Sequence, residues 1–574
     1  MDVKIHANSD WGIDAVLLNF WFKRMAIPSR QSSVFSTVTA ALLLILVLAS
    51  CAIPKTADSS RSDAGERVFR VNLGTEPPDL DPAKTDDLTS FSVLLPLMKG
   101  LTEFDANMAV KPAVAKSWEV ERNGLSYVFH LRPDAQWSDG KPVTSFDFKY
   151  AWLRALQPET GAPYAFFLFE IENAKAFYDG HIHDSAKVGI FTPDAQTLRV
   201  NLRRPTPIFL DLAASPIMLP LRRDVIEKHG ERFTEAGHFI SNGAYKLAQW
   251  AHEEKIRLVP NPNFYERDPA RRPQLDAIDM LMVNDANTSV VMYENGELDF
   301  IETQTSIPAF DVRRLRKRPE AHTTVIHRIN YFGFNITQPP FDNVKVRQAF
   351  AYALDRSYYP RLMQSGEHPL ASWISPGLSG YNPEVGLEYN PEKARKLLAE
   401  AGYPEGKGFP TVKLAYRTQY DIQKESEIAQ YLWKKNLGVD VRLENMEWKV
   451  FLSRLDQDPP ALFRLGWFVD YPDADSYMNV FLADSGNNHT RWRSPAYDAL
   501  VEKAVITREP AERQKLYDQA QRLLLERDAV IIPIYAAEKL WLVKPHVRGL
   551  EMNALNLPNY DRLSLRRNPV LNSR

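Results

Sequence analysis

The sequence predicts an α/β protein of two or three domains, on three observations. At 574 residues the chain is too long to fold around one ordinary core. Strand-like alternation or apolar runs recur along it, at Val68–Leu73, Trp118–Glu121, Tyr127–Leu131 and Leu465–Val469. Between them lie helical patterns, of which Asn390-Pro-Glu-Lys-Ala-Arg-Lys-Leu-Leu-Ala-Glu-Ala-Gly402 carries both a cap and a glycine stop. Composition is ordinary globular, 44% hydrophobic and 25% charged, which supplies apolar side chains for large cores. A net charge of -2 gives no reason to expect a nucleic-acid partner, and a single cysteine, Cys51, rules out an internal disulfide.

Ahead of the body, Ala40-Ala-Leu-Leu-Leu-Ile-Leu-Val-Leu-Ala49 has the length of a signal-peptide core. It falls short of the roughly 20 residues needed to span a bilayer. The run closes as Leu48-Ala-Ser-Cys51, a lipobox-like pattern in which the thiol is expected to carry lipid and to become the mature amino terminus. A buried structural cysteine is the alternative. Residues 1–24 are unusual for a leader, with Asp10 and Asp14; a start at Met25 gives a shorter leader, and a long leader is the alternative. The polar stretch after Cys51 reads as a disordered tether.

In the body, Val68-Phe-Arg-Val-Asn-Leu73 alternates as a first strand. Gly74-Thr-Glu-Pro-Pro-Asp-Leu-Asp-Pro82 follows, its prolines forcing extended backbone. Phe91 to Gly100 reads as a helix. Trp118–Glu121 and Tyr127–Leu131 form a hairpin around Asn123-Gly124. In Arg132-Pro-Asp-Ala-Gln-Trp-Ser-Asp-Gly-Lys-Pro-Val-Thr-Ser-Phe-Asp-Phe148, Ser138–Lys141 makes a turn, and Thr144 or Ser145 caps the next helix. Gly180-His-Ile-His-Asp184 offers a His-x-His pair of the kind zinc uses, but its Gly/Asp-rich surroundings favour an exposed loop.

The stretch Arg464-Leu-Gly-Trp-Phe-Val-Asp-Tyr-Pro-Asp-Ala-Asp475 begins as a buried strand and ends in three carboxylates. Pro472 stops regular pairing. A carboxylate at the end of an apolar strand is costly to bury unless a cation meets it, and no lysine lies within the stretch. That cation could belong to a ligand. The alternative is a turn carboxylate that caps a helix or faces water.

Arg464–Asp470 and Arg132–Phe148 together resemble family 5 extracytoplasmic solute-binding proteins of ABC importers, and within them the bacterial oligopeptide-binding proteins. Ser241-Asn-Gly-Ala-Tyr245, Asn261-Pro-Asn-Phe-Tyr265 and Glu294-Asn-Gly-Glu-Leu-Asp299 resemble further landmarks, so the likeness covers roughly residues 66–565. The resemblance implies a two-lobed periplasmic-binding-protein fold, type II-like with an inserted subdomain, that encloses ligand between lobes. The implied layout is a leader over 1–50 and a tether over 51–66. A lobe I core then draws on 67–88, 225–330 and 537–574, with the inserted subdomain at 89–224 and lobe II at 331–536. Strands near Arg328–Phe334 and Ile532–Tyr535 cross between lobes.

By the same resemblance Asp470 pairs with a peptide's α-amino group, Gly466 and Phe468 offer main-chain hydrogen bonds, and Trp467 lies with them. Arg464 meets a carboxylate, with an ion pair to a nearby acid as the alternative. Glu76 and Tyr164 approach the ligand. Gln423 stands where a relative has a histidine for longer peptides, and its lysine for shorter ones is absent near Met363, which leaves length preference open. The implied partners are a peptide, the permease subunits of an ABC importer and, through Cys51, the membrane. A monomer is implied, on the periplasmic or cell-surface side. No cofactor or metal is expected. An enzyme is disfavoured: G-x-S-x-G and a P-loop are absent, and His252-Glu-Glu-Lys lacks the second histidine of H-E-x-x-H. Within binders, the alternative ligand is a murein peptide, opine, sugar or metal chelate.

Overall fold

The computed structural model describes residues 66–303 and 305–566. The lipobox-like run, Cys51 and the tether up to residue 65 lie outside them.

Eleven strands form one sheet. In chain order they are β1 (Val68–Asn72), β2 (Tyr245–Ala251), β3 (Lys255–Pro260), β4 (Ala277–Leu281), β5 (Phe300–Glu302), β6 (Ala321–Phe334), β7 (Glu367–Pro369), β8 (Val412–Arg417), β9 (Val441–Met446), β10 (Leu462–Phe468) and β11 (Ile531–Val543). In space the order is β9-β8-β10-β6-β11-β5-β1-β4-β3-β2, with β7 added on β11. β1 pairs in parallel with β4 and β5, and β8 with β9 and β10, while β6 and β11 run antiparallel. The fold is therefore α/β, as the alternation of strand and helix patterns predicts.

The two long strands hold the halves together. β6 has 14 residues and β11 has 13. Their register breaks in the middle: Val325 faces Glu538, and the next regular pair is Ile329 with Ala536. A bulge of this kind bends a strand pair locally. On one side of it, Leu540 and Leu542 of β11 pack with Tyr293, Leu298 and Leu315. On the other, Phe332 and Phe334 of β6 pack with Phe350, Leu414 and Trp433, and Tyr331 packs with Trp373 and Phe481.

The expected hairpin is present as Ala115–Glu121 and Ser126–Leu131, with Asn123 and Gly124 both at positive φ, a region open to glycine and tolerated by asparagine. It belongs to a second, four-stranded sheet completed by Thr197–Asn201 and Ile190–Asp194. Phe129, Leu198 and Val200 of that sheet share one core with Phe69 and Ile278 of the main sheet, so the insertion has no separate core. Thr144 caps the helix Ser145–Ala155 in a reciprocal box with Asp147. The helix expected from Phe91 begins earlier, at Leu88, because the Asp87 carboxylate accepts from the Ser90 amide. His181 and His183 lie exposed in the loop between Ala174–Tyr178 and Ser185–Lys187. Among the described residues, no group of three or more His, Cys, Asp or Glu side chains is placed to hold a metal, and no helix is long and apolar enough to cross a membrane.

Candidate functional site

β10 is the wall on which the site is built. Its register with β6 puts Phe468 opposite Arg328, Gly466 opposite Asn330 and Arg464 opposite Phe332. The Val469 amide donates to the His327 carbonyl, which fixes the alternation of the antiparallel ladder. Residues 467, 465 and 463 therefore turn their main-chain groups toward β6, and residues 464, 466 and 468 turn theirs to the other edge. On that edge β8 pairs only with Leu462 and Phe463. With residue 463 turned to β6, its pairing with Ala415 is made through residues 462 and 464, so the edge is open at Gly466 and Phe468 among the described residues, a template for an added strand. Gly466 keeps this wall thin: a Cβ there would lie 2.6 Å from Asn330 Oδ1.

Two cavities flank the open edge, and Leu88 and Phe468 line both. The first, about 280 Å³, is lined by apolar groups including Phe91, Leu95 and Leu555, and by Tyr164 and Asp470. The second, about 820 Å³, is lined by Arg464, Gly466, Arg328, Arg417 and Asp421 among others.

The three acids that follow β10 have different fates. Asp473 is clamped by Arg513 through bonds of 2.6 and 2.7 Å, both residues being buried. Asp475 accepts from the Tyr471 hydroxyl at 2.7 Å, and burial together with Asp473 pushes its carboxyl up to about 6. Asp470 alone lines the cavity. Burial pushes its carboxyl up to about 6, and the Tyr164 hydroxyl, donating at 3.5 Å, opposes that shift weakly. No basic side chain among the described residues forms an ion pair with it. Lys99 lines the same cavity, but Glu103 (3.0 Å) and Asp561 already hold it. Asn242 brackets Lys99 by accepting from its amide and donating to its carbonyl, so the backbone there is pinned. The cavity is thus acidic and apolar together, suited to a ligand cation on a short stem.

Tyr164, Phe468 and Asp470 lie together in the first cavity, and Gly466 lines the second. Trp467 lines neither cavity; its indole N–H donates to the Ser476 carbonyl at 2.7 Å and its ring joins the core below the strand. Glu76 also stands apart: one oxygen accepts from Trp250 and contacts His252, each at 2.7 Å, and the other accepts from the Glu253 amide. Three of its roughly four acceptor sites are thus engaged within its own neighbourhood. Arg464 is buried and donates through Nε to Glu425 at 2.6 Å, while the Tyr535 hydroxyl donates to the other Glu425 oxygen at 2.6 Å. The charge expected to meet a ligand carboxylate is neutralised by an acid 39 residues away in the chain. Gln423 is exposed and donates to Glu427.

Sequence reasoning missed two groups. Arg328 and Arg417 line the larger cavity, and neither has an ion-pair partner among the described residues. In the sequence Arg328 was legible only as the start of a strand, and nothing singled out Arg417.

A sheet continued through two long strands, with cavities on the open edge of a strand beside them, defines a two-lobed solute-binding protein. The comparisons place it more narrowly. Residues 109–489 match the model of the bacterial extracellular solute-binding proteins, family 5, and the chain belongs to that family. It is 33% identical over 525 residues to the probable deoxycholate-binding periplasmic protein YgiS of Escherichia coli, covering 89% of this chain and 96% of that one. It is also 33% identical over 524 residues to the periplasmic oligopeptide-binding protein OppA of Salmonella typhimurium, covering 90% and 95%. Among solved structures it resembles Haemophilus influenzae OppA in complex with RPPGFSPFR, with a TM-score of 0.69, 30% identity and coverage of 87% and 99%. All three relatives are named for binding a solute or a peptide, or are seen in complex with one.

Proposed function

We propose that the chain is the lipid-anchored receptor of an ABC importer, which takes oligopeptides by their backbone and amino terminus and delivers them to a membrane permease. Asp470 carries the reading. It is a desolvated carboxylate with no ion-pairing side chain among the described residues, at the end of a strand whose main-chain edge stays open at Gly466 and Phe468. A peptide supplies both complements, an α-ammonium for the carboxylate and N–H and C=O groups for the edge. Tyr164 steadies the carboxylate, and Gly466 and Phe468 present the edge. A bile acid such as the one in the name of YgiS has no ammonium to meet Asp470 and no peptide backbone for the open edge, so the peptide reading is preferred.

The lobes are assigned as residues 67–88, 225–330 and 537–574 on one side and 331–536 on the other, with 89–224 inserted in the first. They hinge at the register break of β6 and β11 and close on the ligand, which excludes water and strengthens the Asp470 pair. Cys51 tethers the receptor to the extracytoplasmic face. Native mass spectrometry of the purified protein should find peptide masses retained; a non-peptide solute in their place would replace this reading. Palmitate labelling should vanish in Cys51→Ser, and labelling that persists would remove the anchor.

A further inference from the structure

The larger cavity holds more positive charge than its own side chains balance. Three guanidinium groups lie along it, on β6, β8 and β10. Arg464 is matched by Glu425. Glu538, also in the lining, is engaged by Arg316 and His368, and Lys539 by Glu302. Arg328 and Arg417 remain without an ion-pair partner among the described residues. Asp421 lines the same space without pairing to either, and its own carboxyl is raised by burial and by Glu425. Arg417 stacks with its Cζ 5.1 Å from the Trp448 ring, which orients the fork without neutralising it. Burial and the repulsion of Arg328 and Arg464 bring Arg417 down to about 10, and burial and Arg464 lower Arg328.

Position tells what these forks meet. β8 runs parallel to β10, pairs with it at Leu462 and Phe463, and ends at Arg417. The Arg464 amide completes that pairing, and the open edge of β10 begins just beyond it. A strand laid on Gly466 and Phe468 with its ammonium at Asp470 therefore runs toward the end of β8, where Arg417 closes the slot. From Asp470 to Arg464 is six residues, roughly 20 Å at about 3.3 Å per residue, the reach of a peptide of about four to six residues. Arg328 flanks the slot one step inward, its Nε 3.5 Å from where a Cβ on Gly466 would lie. Two free planar forks at one end of a slot match two carboxylates.

Resting on the peptide reading above, we propose that Arg417 and Arg328 form a double carboxylate socket, which selects peptides that end in an acidic residue. Arg417 takes the terminal carboxylate and Arg328 the side-chain carboxylate of a carboxy-terminal Glu or Asp. Both are specificity residues of this chain, distinct from the neutralised Arg464.

The test is calorimetry on ligand-stripped protein with peptides of four to six residues, Ala repeats ending in Glu, in Gln or in Ala, each with a free and an acetylated amino terminus. Wild type should prefer the Glu ending over the isosteric Gln ending by at least about tenfold, with the preference shrinking as salt rises. In Arg328→Gln that preference should fall to within about threefold, and in Arg417→Gln all three peptides should weaken together. The comparison of endings needs only wild type, so a variant that does not fold leaves the proposal open to refutation. Equal affinity for Glu and Gln endings, with acetylation still costly, would overturn the socket and leave the peptide reading standing. Failure of every peptide to bind would overturn both.

Discussion

Replacing Asp470 by Asn separates a ligand anchor from a structural acid, because the two roles move stability and affinity in opposite directions. Burial raises the Asp470 carboxyl from 3.8 to about 6. The folded state thus binds the proton more tightly than the unfolded chain, and stability falls as pH rises from about 4 to about 6. Above that window the buried charge costs about 1–3 kcal/mol, from roughly two pK units at 1.36 kcal/mol each, reduced for a half-buried group. Asp470→Asn removes this cost, so the ligand-free variant should melt higher at pH 7. Its affinity for a free-amine peptide should fall, since a desolvated ammonium left without its partner costs about 3–5 kcal/mol. At 1.4 kcal/mol per decade that is at least about a hundredfold. N-acetylation should cost wild type a similar amount and the variant little more, because both changes delete one interaction. Calorimetry on the four combinations, with melting curves of the stripped proteins, decides it. A variant that melts lower and binds every ligand more weakly would mark Asp470 as structural, and wild type that ignores acetylation would refute the ammonium site.

Peptide affinity should also weaken below about pH 6, as Asp470 takes up a proton, and the slope should disappear in Asp470→Asn even though Asp475 titrates in the same range; a persistent slope would assign it elsewhere. Gly466→Ala should lower both melting temperature and peptide affinity, because the new Cβ would meet Asn330 Oδ1 at 2.6 Å and overpacking of this kind costs about 1–3 kcal/mol; an unchanged protein would mean the wall is not tight. Arg464→Met should destabilise by about 3–5 kcal/mol by stranding Glu425, and Arg464→Met with Glu425→Gln should recover most of it; no recovery in denaturant titrations would place the charge elsewhere. Small-angle scattering should give a smaller radius of gyration with peptide bound, and identical curves for stripped and saturated protein would count against a hinge at the β6–β11 bulge.

What the sequence determined by itself was local. Asn123-Gly124 turns a hairpin because those residues accept positive φ, and Asn390 starts a helix through its own side chain, accepting from the Lys393 amide. The run from Leu465 to Asp470 announces a strand that ends in a costly charge, and the family likeness points to a ligand there. The same kind of local signal was overlooked at Asp87, whose cap moves a helix start to Leu88. Only the tertiary structure decided which charges are free. Asp473 and Asp470 read alike in the chain, yet Arg513 reaches one and, among the described residues, no basic side chain pairs with the other. Glu76 looks available until Trp250 and His252 close on it from 174 and 176 residues away. Arg464 is answered by Glu425, while Arg328 and Arg417, unremarkable in sequence, converge on one cavity from separate strands. Charge is a property of single residues, but its compensation depends on distances of a few ångströms between segments that sheet order alone brings together.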